Sequence, residues 1–229
     1  MAATAGAGRR TQPQPDLGCV LFDLGGLIVD FRGVEAIGAW IDHRDPAALW
    51  ARWLASPAVR AFERGELRPE AFACGLIEDF ELTLDPEEVL GEIEGWVGGP
   101  TPGAIELLDE LRALGADRPV LACLSNTNPL HWPRLDREHD LGRRFDRVFL
   151  SHQTGRVKPD AEAFDQVPAA LGLDPARVLF FDDQPANVDA ARARGLAAEL
   201  ARTPAECRRR LVARGLLAAP APRTAGALR

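Results

Sequence analysis

The sequence has almost no lysine: of its 27 lysine and arginine residues, only Lys158 is lysine. Cysteine is also scarce, and the four cysteines are widely separated with no Cys-X-X-Cys pair. That spacing disfavours a disulfide framework or a zinc site and favours reduced thiols, so we expect a cytoplasmic protein. No uninterrupted apolar run is long enough to span a bilayer, so we expect no membrane partner.

Positive charge is in short supply overall. The formal net charge is −7, which argues against a nucleic-acid partner because backbone phosphates would be repelled. No apolar stretch follows Arg9 and Arg10, so the N-terminus does not resemble a secretory signal. Hydrophobic residues make up 46% of the 229 residues, which permits a substantial core in one domain or in a core with an inserted subdomain.

The chain divides by hydrophobic pattern. Residues 1–16 lack a hydrophobic period and predict a disordered tail, and residues 218–229 predict a second loose tail. Apolar residues recur at helical spacing over 31–99, which predicts an inserted all-helical cap of four or five helices without a strand. Strands and helices alternate over 17–30 and 100–217, which predicts an α/β core with a doubly wound, Rossmann-like parallel sheet.

The chain is organised around its first strand. An apolar run over Cys19–Phe22 predicts a buried strand, and Asp23 stands at its carboxyl end. Gly25 and Gly26 follow, so the backbone can turn sharply and nothing bulky covers the carboxylate. Ligands bind at the carboxyl ends of strands in an open parallel sheet, so Asp23 is a candidate for chemistry. The structural alternative is a helix-capping aspartate in an ordinary turn.

Polar residues also follow the later predicted strands. Ser125 and Asn126 end the second, Lys158 follows the third, and Asp182 and Asp183 end the fourth. Right-handed crossovers bring these ends to one edge of the sheet. Each residue also has a plain structural explanation, as a helix cap, a solvated loop lysine or a turn.

Together these groups are harder to explain as structure alone. Adjacent carboxylates repel each other unless a cation lies between them. Carboxylate oxygens suit Mg²⁺, whose remaining ligands often come from a substrate phosphate. A hydroxyl and an ammonium suit the other phosphate oxygens. The sequence therefore predicts a magnesium site that takes a small phosphorylated molecule.

Four segments resemble the motifs of the haloacid dehalogenase superfamily, in the branch with a helical cap after the first motif. In chain order they are FDLGGLIVD, LSNTN, RVKPD and FFDDQPANV. Their order and spacing fit over about residues 17–215, and four motifs in register are specific. In detail they look most like α-D-glucose-1-phosphate phosphatase-like members, and more distantly like the phosphatase domain of mammalian soluble epoxide hydrolase.

The resemblance implies phosphoryl transfer in two steps. Asp23 would attack phosphorus, and water would then hydrolyse the aspartyl-phosphate. Mg²⁺ would be held by Asp23, the backbone carbonyl of Gly25 and Asp183, with Asp182 close by.

The resemblance also assigns the phosphate-binding groups. Ser125 and the Asn126 amide would hold phosphate oxygens, and Lys158 would neutralise charge on the nucleophile and the phosphate. Asn187 would order the loop of the fourth motif.

Gly25 departs from the usual pattern. Most phosphatases of the family carry a second aspartate there as general acid and base, whereas the sugar-phosphatase relatives share the glycine. The backbone carbonyl survives this change, and the proton-transfer group does not. We therefore expect phosphates of good leaving groups, such as anomeric sugar phosphates, to be favoured unless a cap residue or water supplies the proton.

The leading hypothesis is a Mg²⁺-dependent phosphatase for a small phosphorylated metabolite, such as a sugar phosphate. One alternative is a metal-independent 2-haloacid dehalogenase, against which the Asp182–Asp183 pair argues. The other is a catalytically weak or inactive binding or regulatory protein, which Gly25 favours. The sequence leaves open the substrate, the cap residues that select it, and whether the protein is a monomer or a homodimer.

Overall fold

The computed structural model describes residues 16–41 and 45–219. Apart from residues 16, 218 and 219, the two predicted tails lie outside these described residues. Among the residues described, no helix has the length and apolar character needed to cross a membrane.

A five-stranded parallel sheet forms the centre of the protein, in the order β5-β4-β1-β6-β7. Its strands are β1 (Cys19–Phe22), β4 (Val120–Ser125), β5 (Arg147–Leu150), β6 (Val178–Asp182) and β7 (Ala197–Leu200). Each pair is in parallel register, so the carboxyl ends of β1, β4 and β6 lie side by side. Because β1 lies between β4 and β6, the residue that follows it is at the middle of this edge.

Helices cover both faces of the sheet. Successive β1 side chains alternate, with Val20 and Phe22 in one core cluster and Cys19 and Leu21 in the other. Burial on both faces explains the continuous apolar run. The helices of this half are α6 (Ala104–Arg112), α7 (His131–His139), α8 (Leu141–Arg144), α9 (Ser151–Thr154), α10 (Ala161–Leu171), α11 (Pro185–Ala193) and α12 (Pro204–Ala213). This arrangement confirms the predicted α/β fold class.

Five helices follow the first strand and have a core of their own, and we call them the helical segment. They are α1 (Gly33–Trp40), α2 (Pro46–Ala55), α3 (Pro57–Glu63), α4 (Pro69–Phe80) and α5 (Pro86–Glu94). Four begin with proline at a position where the missing N–H costs nothing. Their core contains the stacked pair Phe62 and Phe72, with ring centroids 4.0 Å apart, and the tilted pair Trp53 and Trp96.

The prediction that 31–99 contains no strand is wrong at its two margins. β2 (Val29–Phe31) and β3 (Val97–Pro100) form a two-stranded antiparallel ribbon where the chain enters and leaves the helical segment. β3 contains two glycines and a proline, which have low strand propensity, so its pattern alone does not indicate a strand. Each strand gains its hydrogen bonds from the other. The division of the chain into core and cap stays a prediction.

Candidate active site

A cavity of about 750 Å³ lies at the carboxyl edge of the sheet, between the sheet and the helical segment. The sheet half lines it mainly with polar residues: Asp23, Gly25, Gly26, Asn126, Asn128, Lys158, Asp183, Gln184 and Asn187. The helical segment lines it with Glu35, Pro46, Ala47, Trp50, Trp53, Leu54 and Glu63. The cavity therefore joins a polar wall at the strand ends to a largely apolar wall of helices.

Lys158 lies at the centre of the polar wall. Its side chain is buried, and its Nζ donates to Asp23 Oδ1 at 2.6 Å and to Asp182 Oδ2 at 2.7 Å. These two carboxylates outweigh burial and raise the pKa of Lys158 above its ordinary value. The single lysine of the chain is thus a permanent cation that links the ends of β1 and β6. An arginine could not make the same two contacts from a single nitrogen on so compact a head group.

Asn126 holds the lysine in place. Its Nδ2 donates to the carbonyl oxygen of Lys158 at 2.9 Å, and its Oδ1 accepts from the Lys158 backbone N–H at 2.8 Å. The side chain of Asn126 is therefore committed to the lysine loop. The predicted contact of Asn126 with phosphate stays a prediction.

The adjacent aspartates Asp182 and Asp183 differ in burial and in their hydrogen-bond partners. Asp182 is completely buried. It accepts hydrogen bonds from Lys158 Nζ and from the Gln184 backbone N–H, and both of its oxygens accept from Asn187 Nδ2, at 3.0 and 3.1 Å. Asp183 is partly exposed, lines the cavity and accepts from Gln184 Nε2 at 2.9 Å. The structure thus pairs Asp182 with the lysine and leaves Asp183 facing the cavity. The contacts of Asn187 fit the expected ordering of this loop, although that role stays a prediction.

Three carboxylates form a cluster that suits a hard cation. Oxygen atoms of Asp23, Asp182 and Asp183 lie within 4.8 Å of one another. Burial, with smaller contributions from Asp182 and Asp183, raises the pKa of Asp23 to about 8 although Lys158 opposes the change. Burial and Asp182 also raise the pKa of Asp183. One ammonium does not balance three carboxylates, and an all-oxygen donor set fits Mg²⁺.

The two glycines beside the cluster serve different purposes. Gly26 has φ +75°, and a Cβ there would lie 2.8 Å from Asp183 Oδ2, so only glycine leaves that carboxylate its place. At Gly25 the backbone is outside the left-handed region, and a Cβ would meet only Phe31 Cβ, at 3.9 Å. Sterics therefore permit a side chain at position 25. The missing aspartate is a property of this sequence and is not forced by the fold.

Ser125 is less accessible than the sequence suggests. It is buried at the end of β4, and its Oγ lies 3.4 Å from the carbonyl oxygen of Asn126. Of these two neighbours, Asn126 lines the cavity and Ser125 does not. The role of Ser125 in binding phosphate stays a prediction.

Sequence reasoning missed three titratable residues of the cavity wall: the exposed Glu35 on α1, and His131 and Glu63. Both ring nitrogens of His131 are in contact, with Ile93 O at 2.8 Å and Asn128 Nδ2 at 3.1 Å, and burial lowers its pKa to about 4. Glu63 reaches the cavity from α3. Because their roles depend on packing between distant helices, no motif at the strand ends signals any of them.

Glu63 lies beside neutral side chains from both walls of the cavity. Trp53 and Asn126 are close enough to its carboxyl group to influence its pKa. Burial raises the pKa of Glu63 to about 7, although Lys158, Arg60, Trp53 and Asn126 lower it. The helical segment thus places an acid with a near-neutral pKa next to the residue that supports Lys158.

Two phosphatases are similar to this chain. A D-ribitol-5-phosphate phosphatase of Bacteroides thetaiotaomicron is 28% identical over 179 residues, covering 74% of this chain and 84% of that protein. A sesquiterpene phosphatase of Aspergillus oryzae is 25% identical over 178 residues, covering 77% and 85%. Neither is an α-D-glucose-1-phosphate phosphatase, the finer likeness that the motifs suggest.

Structural similarity supports the same fold. A haloacid dehalogenase family enzyme of Bacteroides thetaiotaomicron, solved with magnesium and inorganic phosphate, matches with a TM-score of 0.64 at 22% identity. The match covers 80% of this chain and 93% of that one. The family model for haloacid dehalogenase-like hydrolases matches residues 17–195. With the motifs, the sheet order and the carboxylate cluster in agreement, this chain belongs to the haloacid dehalogenase-like hydrolases.

Proposed function

We propose that the protein is a Mg²⁺-dependent phosphatase that hydrolyses a small phosphorylated metabolite, a sugar or sugar-alcohol phosphate, through an aspartyl-phosphate on Asp23. The observation that carries the proposal is the placement of Asp23 on the cavity wall, bonded to Lys158, with Asp183 beside it. The two phosphatase relatives support the same reaction class.

The reaction proceeds in two displacements. An Asp23 carboxylate oxygen attacks phosphorus, and the bond from phosphorus to the substrate oxygen breaks. Water then attacks phosphorus, and the bond to Asp23 breaks to release inorganic phosphate. Lys158 stays protonated throughout and offsets charge at the nucleophile, because its raised pKa keeps it cationic.

Mg²⁺ held by Asp23, Asp183 and the Gly25 carbonyl would offset the charge of the carboxylates and the phosphate, so that Asp23 stays ionised beside an anionic substrate. Asp182 has a supporting task. Its oxygens accept from Lys158 and Asn187, which fixes the lysine against Asp23.

The cavity limits the class of substrate. A volume of about 750 Å³ suits a small metabolite. Trp50, Trp53 and Leu54 form an apolar surface opposite the carboxylates, which suits the C–H faces of a sugar or polyol chain. A phosphate would enter at the polar wall with its organic part against these helices. An anomeric sugar phosphate and a primary-alcohol phosphate both fit this description.

A second candidate is a binding or regulatory protein that has lost turnover. The observation that favours it is Gly25, where the fold leaves room for the side chain that is missing. Such a protein would bind phosphorylated ligands and Mg²⁺ without releasing phosphate. The alternative of a 2-haloacid dehalogenase would need neither metal nor phosphate.

A substrate screen tests the proposal. Purified protein is incubated with ribitol 5-phosphate, glucose 1-phosphate, glucose 6-phosphate and p-nitrophenyl phosphate, with Mg²⁺ or with EDTA, and released phosphate is measured. We expect Mg²⁺-dependent release from at least one, and none from Asp23→Asn. Ligand binding without release would favour the regulatory protein, and halide release from a 2-haloacid in EDTA would favour the dehalogenase.

A further inference from the structure

Cleavage of a phosphate ester needs a proton for the leaving oxygen, and Gly25 removes the usual source. Six titratable side chains line the cavity among the described residues: Asp23, Glu35, Glu63, His131, Lys158 and Asp183. The donor should face the substrate, be protonated near neutral pH and be free of another task. Comparing the six against these needs leaves one side chain.

Most of the six are already committed. Asp23 is the attacking group, Asp183 belongs to the carboxylate cluster, and Lys158 is bonded to two carboxylates. His131 uses both ring nitrogens within the protein, and burial lowers its pKa to about 4. Glu35 is exposed on α1, where water surrounds it.

Glu63 lines the cavity into which the leaving group must point. Phosphoryl transfer requires the attacking and leaving oxygens to lie roughly in line, so the leaving oxygen points away from Asp23 and into the cavity. Glu63 lines this cavity from α3, as Asn126 does from the other wall, and Asn126 is close enough to influence the pKa of Glu63. Asn126 in turn holds the backbone of Lys158, which bonds Asp23. A short chain of neighbouring residues therefore connects Glu63 to the nucleophile across the site.

Ion pairs fix α3 against the lysine loop on both sides of Glu63. Arg60 and Arg64 both donate to Asp160 Oδ2, at 2.8 and 2.9 Å. Asp160 stands two residues after Lys158. Just past the helix, a Cβ on Gly65 would lie 2.2 Å from the carbonyl oxygen of His152, so α3 ends in close contact with α9. Glu63 therefore sits on a rigid element at the boundary of the two walls.

We propose that Glu63 is the general acid and base of this phosphatase, in place of an aspartate at position 25. The inference rests on the proposed function. It gives the helical segment a catalytic role in addition to substrate binding. It also extends the substrate range to primary-alcohol phosphates, which need a proton on the leaving oxygen more than anomeric phosphates do.

The two steps balance with one proton carried by Glu63. In the first, an Asp23 oxygen bonds to phosphorus, the bond from phosphorus to the leaving oxygen breaks, and the Glu63 proton passes to that oxygen to give the alcohol. In the second, a water oxygen bonds to phosphorus, the Asp23–phosphorus bond breaks, and a water proton returns to Glu63. The sum is ester plus water giving alcohol plus inorganic phosphate.

The environment of Glu63 suits both donation of a proton to the leaving oxygen and acceptance of a proton from water. Burial raises its pKa to about 7, while Lys158, Arg60, Trp53 and Asn126 oppose the rise. Both forms are therefore populated near neutral pH, as a group that alternates between acid and base requires. The acid form is lost as pH rises through about 7, so the first step should slow over that range for substrates that need the proton.

The test compares two leaving groups in one variant. Glu63→Gln keeps the shape of the side chain and removes the transferable proton. For a primary-alcohol phosphate, kcat/KM should fall by roughly 10²- to 10⁴-fold. For p-nitrophenyl phosphate, whose nitrophenolate leaves as a stable anion, kcat/KM should change little, because this ratio reports only the first step. The unchanged ratio also shows that the variant is folded.

The second step gives a further readout. Without the base, hydrolysis of the aspartyl-phosphate becomes limiting, so Glu63→Gln should release nitrophenolate in a burst of one per active site and then slowly. The fall of wild-type kcat/KM for the alkyl phosphate above about pH 7 should be absent in the variant. Glu66→Gln, at an exposed glutamate in the loop three residues further along the chain, is the matched control and should behave as wild type.

Two results would overturn the inference while leaving the phosphatase intact. They are an equal loss of kcat/KM for both substrates, which a structural role would cause, and no loss for either. If the wild type hydrolysed neither substrate, that result would instead overturn the proposed function, and the role of Glu63 with it.

Discussion

The polar wall at the strand ends and the wall formed by the helical segment differ in how tightly their functional groups are held. On the polar wall, Lys158 is buried and its ammonium bonds two carboxylates, Asp23 and the fully buried Asp182 behind the wall. On the helical wall, Trp50, Leu54 and Glu63 are all partly exposed. Phosphate chemistry demands fixed charges, whereas the organic part of a substrate needs shape. The difference supports our proposal that the sheet half carries the phosphoryl transfer, while the helical segment carries substrate selectivity and, through Glu63, the proton transfer.

The largest effect is expected from replacing the nucleophile on the polar wall. Asp23→Asn should lower kcat by at least about 10⁴-fold for every substrate, since an amide does not attack phosphorus. The loss should not depend on the leaving group, in contrast to Glu63→Gln. Phosphate release measured on two esters checks it. Turnover near the wild-type rate would remove the nucleophile from this account.

The next effect tests the single lysine. Lys158→Ala should lower kcat by roughly 10²- to 10³-fold, because the charge that offsets Asp23 and the phosphate is lost. Lys158→Arg should recover little of this, since the larger planar guanidinium does not fit between Asp23 and Asp182. Steady-state kinetics with circular dichroism as a folding control measure both. Full activity in the arginine variant would show that the lysine is an accident of composition.

A smaller effect is expected from the helical wall. Trp50→Ala removes apolar surface from the cavity and should raise KM for a sugar or sugar-alcohol phosphate by about tenfold, with kcat little changed. Trp40→Phe, on the same segment but packed against Trp96 away from this cavity, should leave KM unchanged. A loss of kcat alone in Trp50→Ala would contradict the assignment of selectivity to the helices.

The smallest effect concerns stability and follows from Glu63. Its pKa of about 7 in the folded protein lies above the ordinary 4.5. Between these values the folded state keeps a proton that the unfolded chain releases, so the wild-type free energy of unfolding falls as pH rises. Glu63→Gln has no carboxyl group at this position, so its free energy of unfolding does not fall for this reason. Its free energy of unfolding relative to wild type should rise by roughly 1 to 3 kcal/mol across this range.

Urea unfolding in EDTA at several pH values measures this difference. The Glu66→Gln control should follow the wild-type curve, because Glu66 is exposed. Parallel curves for wild type and Glu63→Gln would mean that the carboxyl group has no unusual proton affinity.

The sheet half could be predicted from sequence for a physical reason. Parallel strands place their carboxyl ends together whatever the loops do, so polar residues after apolar runs mark a site. Asp23, Lys158, Asp182 and Asp183 were found in this way, and the structure brings their side chains into contact or close proximity. The sequence did not show which of the two adjacent aspartates is buried against the lysine, Asp182, and which lies on the cavity wall, Asp183.

The helical segment was predictable as helices and less so as a surface. Prolines and capping residues mark helix starts, because those signals are local. The β2–β3 ribbon was missed because each short strand depends on the other for its hydrogen bonds. Glu63 was missed because its place depends on how α3 packs on the lysine loop, through an Arg60–Asp160 contact that spans 100 residues of sequence.

The most direct test of the central claim is to trap the phosphoryl group on the protein. Wild-type enzyme is mixed with a phosphate ester carrying labelled phosphorus, quenched in acid within milliseconds, digested and examined by mass spectrometry. The account predicts label on the peptide that contains Asp23, lost on a chase with unlabelled substrate and absent in Asp23→Asn. Steady release of phosphate under conditions where no label reaches Asp23, with Asp23→Asn still active, would contradict it.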